Sequence, residues 1–140
     1  MIADLAHNPH AARALAGNLA TMGRHVQTCA VFGCMADKDI PGIIAAMQHQ
    51  VDHWLVASLP GPRGASANRL RVRVEEAGIS KDAVTEFASP REAYLFAQRK
   101  NGTAERVIVF GSFLTVSAVM AIEQTPLAPA ASSTEVVATD

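Results

Sequence analysis

Three short stretches of the chain have polar side chains or glycine at positions suited to binding a ligand. They are residues 4–8, with sequence DLAHN, residues 33–39, with sequence GCMADKD, and residues 111–112, with sequence GS. Each follows an apolar run that is typical of a strand and precedes a run with helical spacing. The free N–H groups and the dipole at a helix N-terminus favour an anion. The pattern therefore indicates sites for a carboxylate or a phosphate.

Two of these stretches offer specific candidates, and each candidate has a structural alternative. Asp4, at the end of a short strand, could accept hydrogen bonds from ribose hydroxyls, or it could form a local turn. Gly111 and Ser112 would let the backbone approach a carboxylate or phosphate closely, although Ser112 could equally cap the last helix. Composition alone leaves both alternatives open.

Several kinds of site are not expected from the sequence. The chain contains neither the G-x-x-x-x-G-K-[ST] nor the G-x-G-x-x-G fingerprint, so we do not expect it to transfer phosphoryl groups by itself. Cys29 and Cys34 have no histidine at metal-ligand spacing. His49 and His53 straddle a predicted helix–strand boundary, which disfavours a shared metal. We therefore predict no metal site.

Composition bounds the class of protein. The 140 residues suit one domain, and 49% hydrophobic residues suffice for a sizeable core. A net charge of −1, from 12 basic and 13 acidic residues, disfavours nucleic-acid and membrane partners. No apolar run approaches the roughly 20 residues of a membrane span, and no signal-peptide pattern is visible. Two cysteines fit a reducing compartment, so we expect a cytoplasmic protein.

The elements that must position these residues alternate along the chain. Apolar runs predict strands, and each is followed by a run with helical spacing. This alternation, with short loops, predicts an α/β fold: a Rossmann-like three-layer sandwich with a mainly parallel sheet of about five or six strands and helices on both faces. The predicted strands are residues 2–5, 26–33, 53–59, 84–88 and 106–112.

Two segments need separate treatment. Residues 66–77 alternate like a strand, yet their length, with Ser66 in front and Gly78 behind, favours a helix. Residues 125–140 are rich in Ala, Pro, Ser and Thr and contain no Lys or Arg, which predicts a disordered tail. The expected organisation is therefore one domain over residues 1–124 followed by that tail.

Four segments of the chain also form a collinear set of motifs. They are DLAHNPHAARALAGNLA, VFGCMADKDIPGII, LPGPRGAS and VIVFGSFLTVSAVM. In order and spacing they resemble the D-x-A-H-N-P, G-M-x-x-D-K-D, G-P-R-G-A and G-S-F-x-T-V motifs of the C-terminal domain of bifunctional folylpolyglutamate synthase/dihydrofolate synthases, in the Mur ligase superfamily. The resemblance covers residues 2–122. Leu114 departs from it, since several relatives have His there.

The resemblance implies an ATP-dependent ligase that first phosphorylates a carboxylate of a folate or of dihydropteroate. The amine of L-glutamate then attacks the acyl phosphate. The enzymes of this family are much larger, and an upstream ATPase domain supplies the P-loop, the Mg²⁺ ligands and the pterin pocket. The C-terminal domain closes over the ATP, so we expect this segment to be inactive alone.

Carried over by motif, the resemblance assigns Asp4 and His7 to the nucleotide and Gly111 and Ser112 to the glutamate. It implies no catalytic residue and no metal ligand in this segment. Asp37, Lys38 and Asp39 could reach the cleft between domains, but we favour a solvated loop in which Asp39 caps a helix. An alternative function is a non-catalytic nucleotide- or protein-binding module of the same fold.

Overall fold

The computed structural model describes residues 2–4, 6–22, 27–100, 105–123 and 135–137. Within these ranges strands and α-helices alternate as the sequence predicts, with short 3-10 helices at Gln48–Gln50 and Lys81–Ala83. The elements are β1 (Ile2–Asp4), α1 (Pro9–Thr21), β2 (Gln27–Phe32), α2 (Ile40–Met47), β3 (His53–Ala57), α3 (Ala67–Glu76), β4 (Val84–Phe87), α4 (Pro90–Lys100), β5 (Glu105–Phe110), α5 (Phe113–Glu123) and β6 (Glu135–Val137).

The described strands form one sheet in the order β4-β3-β2-β5-β1-β6, and every pairing in it is parallel. Parallel neighbours need a crossover connection, which the intervening helices supply. The sheet is buried on both faces, so its central strands are nearly continuous apolar runs. The predicted α/β three-layer architecture is confirmed.

Successive side chains along each strand point to opposite faces of the sheet and belong to two separate hydrophobic cores. One face packs against α1, α2 and α3, and the other packs against α4 and α5. The first core contains a cluster of three aromatic rings from β2, β3 and β5. Phe32 stacks on Phe110 with ring centroids 4.9 Å apart, and Trp54 meets Phe32 edge-on at 5.7 Å. The prediction that Trp54 and Phe110 are core residues is confirmed.

The helices begin where local sequence predicts. The side chain of Asn8 accepts a hydrogen bond from the Ala11 amide at 2.8 Å, with Pro9 in the first turn of α1. Asp39 caps α2 and Ser66 caps α3 in the same way. Residues 66–77 therefore form a helix rather than a strand, and its buried side chains repeat at helical spacing. None of the described helices is long and apolar enough to cross a membrane.

The C-terminal segment differs from its prediction at one place. Glu135–Val137 forms β6 and pairs in parallel with β1, although composition predicted a disordered tail over residues 125–140. The physical reason is that an uncovered β1 would leave a row of unpaired backbone groups, which even a short Val-rich strand can satisfy. The remainder of that prediction, at residues 125–134 and 138–140, lies outside the described residues.

The sheet also depends on a close backbone approach at the ends of β2 and β5. Gly111 follows β5 with a φ angle of +114°. A Cβ atom at this position would meet the carbonyl oxygen of Gly33, which follows β2, and the ring of Phe32. Gly111 is therefore required both for its backbone conformation and for space.

Substitution Gly111→Ala should lower the free energy of unfolding by about 2–4 kcal/mol, because backbone strain and overlap with Gly33 add together. Gly78→Ala is the matched control, since Gly78 has a φ angle of +93° but no heavy atom within 4 Å of the position that a Cβ would occupy. It should cost only ~1 kcal/mol. Urea denaturation measures both. Equal losses in the two variants would contradict the steric role of Gly111.

Candidate functional site

A cavity of about 410 Å³ opens at the carboxyl edge of the sheet, where the loops after β1, β2 and β5 meet. The chain leaves β2 toward α2 on one face and leaves β5 toward α5 on the other. Such a reversal between adjacent parallel strands creates a crevice that binds ligands in open α/β sheets. The cavity is lined by His7, Met35, Lys38, Gly111, Ser112, Phe113 and Leu114.

Three of the four residues predicted from the sequence therefore come together. His7 follows β1, and Gly111 and Ser112 follow β5, the strand that pairs with β1. Sequence order separates these positions by about a hundred residues, and only the pairing of β1 with β5 brings them to one wall. The first and last predicted stretches thus belong to the same edge of the sheet.

Asp4, the fourth predicted residue, is placed differently. Its side chain is fully buried and is not part of the cavity lining. One carboxylate oxygen accepts a hydrogen bond from the amide of Ala6 at 2.8 Å, which shapes the turn leading to His7. The turn-forming alternative describes the contact that the structure shows. Direct binding of a nucleotide by Asp4 stays a prediction.

Ser112 lies on the cavity wall and also caps α5. It is only 5% exposed, and its hydroxyl oxygen accepts a hydrogen bond from the Thr115 amide at 3.3 Å. The structure therefore shows Ser112 as the N-cap of α5, which was the structural alternative. The first backbone N–H groups of α5, which follow Ser112, adjoin the cavity and favour negative charge there.

Lys38 lines the cavity, although the sequence interpretation preferred a solvated loop for residues 37–39 over a position at the cleft. The expectation fits Asp37, which is exposed and pairs with Arg63 at 3.2 Å. The Arg63 guanidinium lowers the pKa of the Asp37 carboxyl below its ordinary value. Lys38, however, is half-buried and contributes a cation to the cavity. The available sequence signal was its position after a strand that ends at the crevice.

The loop that carries Met35 and Lys38 is braced from outside by residues 59–65, which include the G-P-R-G-A motif. Met35 and Gly64 form an antiparallel bridge. The amide of Ala36 donates to the carbonyl of Arg63 at 2.7 Å, and the amide of Ala65 donates to the carbonyl of Cys34 at 3.0 Å. This wall of the cavity is therefore held by backbone hydrogen bonds on its outer side.

The cavity combines a cation with an apolar surface. Met35, Phe113 and Leu114 supply the apolar part, and Phe113 is 68% exposed although it is a large hydrophobic residue. An arrangement of this kind suits a ligand that has an anionic group and an apolar body. Among the residues that the structure describes, no three His, Cys, Asp or Glu side chains could hold a metal ion together.

Comparison with known proteins agrees with this geometry. Residues 1–113 match the model of the family described as Mur ligase, glutamate ligase domain. A relative from Escherichia coli (strain K12), named dihydrofolate synthase/folylpolyglutamate synthase, is 39% identical over 122 residues. The aligned region covers 87% of this chain and 27% of that relative. A relative of the same name from Haemophilus influenzae is 32% identical, with 87% and 28% covered. The chain thus spans less than a third of the length of these curated relatives.

Solved structures show the same similarity. E. coli FolC in complex with DHPP and ADP superposes with a TM-score of 0.77 and 36% identity, over 85% of this chain and 27% of that one. A bifunctional folylpolyglutamate synthase/dihydrofolate synthase with Mn, AMPPNP and L-glutamate bound gives 0.77 and 40%, over 86% and 28%. The Mycobacterium tuberculosis folylpolyglutamate synthase complexed with ADP and AMPPCP gives 0.77 and 27%, over 86% and 29%.

The thiol of Cys34, next to the cavity wall, should be chemically silent. Burial raises its pKa from 9.0 to about 12, so it stays protonated near neutral pH. At pH 8, iodoacetamide should label it at least ~100-fold more slowly in the folded chain than in urea. Tandem mass spectrometry can assign the label to Cys34 rather than Cys29.

The raised pKa of Cys34 also makes the free energy of unfolding depend on pH. Because the pKa is higher in the folded than in the unfolded chain, the contribution of Cys34 is complete below pH 9 and is lost as the pH rises toward 12. Equal rates of labelling of Cys34 in the folded and unfolded chain at pH 8 would contradict the raised pKa of this buried thiol.

Proposed function

Because the chain belongs to the Mur ligase, glutamate ligase domain family, we propose that it is the C-terminal domain of an ATP-dependent ligase that adds L-glutamate to folates through an acyl phosphate. The observation that supports this most directly is the cavity, where His7, Lys38 and Ser112 converge from three different motif segments. The relatives named above bear that activity in their names, and their structures include ADP, AMPPNP and L-glutamate.

The half of the cavity formed by Lys38 and the start of α5 suits the incoming amino acid. The ammonium group of Lys38 attracts a carboxylate, and the N–H groups that follow Ser112 can donate to the same anion. Gly111 has no side chain, so a ligand can approach the backbone closely. These groups would orient glutamate so that its amine faces the acyl phosphate. Their contribution is positioning rather than bond making.

The half formed by His7 suits the nucleotide. His7 stands on the cavity wall at the end of the turn that Asp4 shapes. We assign both residues to one nucleotide half-site, in which the imidazole would meet the phosphates when the domain closes. In this arrangement Asp4 acts by fixing the turn that presents His7.

The remaining parts of the reaction are proposed to lie outside this chain. The chain matches only 27% of the E. coli relative, which leaves room for an ATPase domain and a pterin pocket. One solved neighbour contains Mn together with AMPPNP. The described residues offer no three-ligand cluster for Mg²⁺, so its ligands would belong to the ATPase domain.

The purified 140-residue chain should bind L-glutamate weakly and lose most of that binding on substitution Lys38→Gln. Removal of a charge-assisted contact should weaken affinity about tenfold, ~1.4 kcal/mol. The measurement is an NMR titration that follows the amide shifts of the cavity residues. Lys81→Gln is the matched control, because Lys81 precedes β4 at the opposite edge of the sheet. Equal affinity of the Lys38 and Lys81 variants would remove Lys38 from the site.

The same chain should not catalyse ATP-dependent addition of glutamate to a folate or to dihydropteroate. The expected reason is that no phosphate-binding loop fingerprint is present in its sequence. Product formation can be followed by mass spectrometry with ATP, Mg²⁺ and L-glutamate supplied. Turnover by the isolated chain would overturn the assignment of the chemistry to a separate domain.

A further inference from the structure

Thr115 lies in the first turn of α5, and the proposed function gives it no role. Its side chain is fully buried, which is uncommon for a hydroxyl unless it is hydrogen-bonded. The hydroxyl donates to the carbonyl oxygen of Gly33 at 3.0 Å, across 82 residues of sequence. The amide of Thr115 donates to the hydroxyl oxygen of Ser112 at 3.3 Å. One residue therefore contacts two of the three loops that form the cavity.

The backbone and side chains around Thr115 pack closely where the ends of β2 and β5 meet. A Cβ atom on Gly33 would lie 2.5 Å from the Thr115 hydroxyl oxygen, and one on Gly111 would meet the carbonyl oxygen of Gly33. The amide of Gly33 donates to the carbonyl of Phe110 at 3.4 Å. The ends of β2 and β5 are thus joined at the base of the cavity, and the Thr115 hydroxyl supplies the side-chain part of that joint.

The two loops that leave this joint carry the opposite walls of the cavity. The loop after Gly33 leads to Met35 and Lys38, and the turn after Gly111 leads to Ser112 and the start of α5. The hydrogen bond between Thr115 and Gly33 therefore links the segment that leads to Lys38 with the first turn of α5. Two groups that act on one anion lose affinity together when their spacing changes.

We propose that Thr115 is a positioning residue for the amino-acid half of the site. Its hydroxyl sets the spacing between the Lys38 loop and the N-terminus of α5, so that both groups face one carboxylate-bearing ligand. The inference rests on the proposed function for the identity of that ligand, L-glutamate. The joint itself is a property of this chain and can be tested without a ligand.

Three substitutions of Thr115 separate the hydroxyl from the rest of the side chain. Thr115→Val keeps the shape but removes the donor, which leaves the buried carbonyl of Gly33 without this partner. Thr115→Ser keeps the donor and removes the methyl group. Thr115→Ala removes both, so the comparison of Ser with Ala isolates the hydroxyl if the Val variant does not fold.

A matched control is available at the other end of β2. Thr28 is also fully buried, and its hydroxyl oxygen accepts a hydrogen bond from Nε of Arg106 at 3.2 Å. Thr28→Val therefore imposes the general cost of replacing a buried threonine but leaves the cavity end of the strand intact.

The experiment measures two quantities on the 140-residue chain. The first is L-glutamate affinity by NMR titration, and the second is hydrogen exchange of the Gly33 amide, which reports opening of the joint. Thr115→Val should weaken affinity about tenfold, which is ~1.4 kcal/mol. It should also raise Gly33 exchange more than exchange in the centre of β2. Thr115→Ser and Thr28→Val should stay close to the unsubstituted chain in both quantities.

The outcomes distinguish the two proposals. If the unsubstituted chain shows no glutamate binding, the proposed function fails, and Gly33 exchange alone decides the role of Thr115. Faster exchange in the Val or Ala variant, restored by Ser, supports the joint. Unchanged Gly33 exchange overturns it. Unchanged glutamate affinity in a Val variant of a chain that does bind glutamate overturns the positioning role as well.

Discussion

The close approach of the backbones at Gly33 and Gly111 is the constraint on which the cavity depends. The strands β2 and β5 send their following helices to opposite faces of the sheet, so the chain must turn immediately after each strand. A side chain at either glycine would push the two turns apart. The crevice forms where the connections after the two strands go to opposite faces, and glycine at both turns permits the close backbone approach at its base.

Local signals were sufficient to predict the elements from β1 to α5, whereas β6 and the long-range pairing of strands were not predictable in the same way. The caps at Asn8, Asp39 and Ser66 are formed by contacts within three residues, so sequence spacing determines them. The placement of β1 beside β5, and of β6 beside β1, depends on pairings across most of the chain. Alternation of strands and helices predicts a parallel sheet but does not specify its strand order.

The residues of the site also differ in whether local sequence could predict their placement. His7, Gly111 and Ser112 were predictable because they follow strands, and ligands collect at strand ends in this architecture. The burial of Asp4 was not predictable, because aspartate is rarely fully buried and local sequence does not show what packs over its side chain. Lys38 was assigned to a solvated loop for the opposite reason, since a charged loop is usually solvated, whereas this one borders a crevice.

The brace formed by residues 59–65 makes the Lys38 wall a preassembled surface. Its backbone hydrogen bonds exist before any ligand arrives, so binding orders few additional torsions there and the associated entropy loss is small. Ligand recognition at this wall then depends on a conformation fixed during folding rather than on a change that the ligand induces. The tip of the brace, which includes Gly61 and Arg63, lies outside the cavity lining, so a substitution there would act on the pocket only through the backbone of the Lys38 loop.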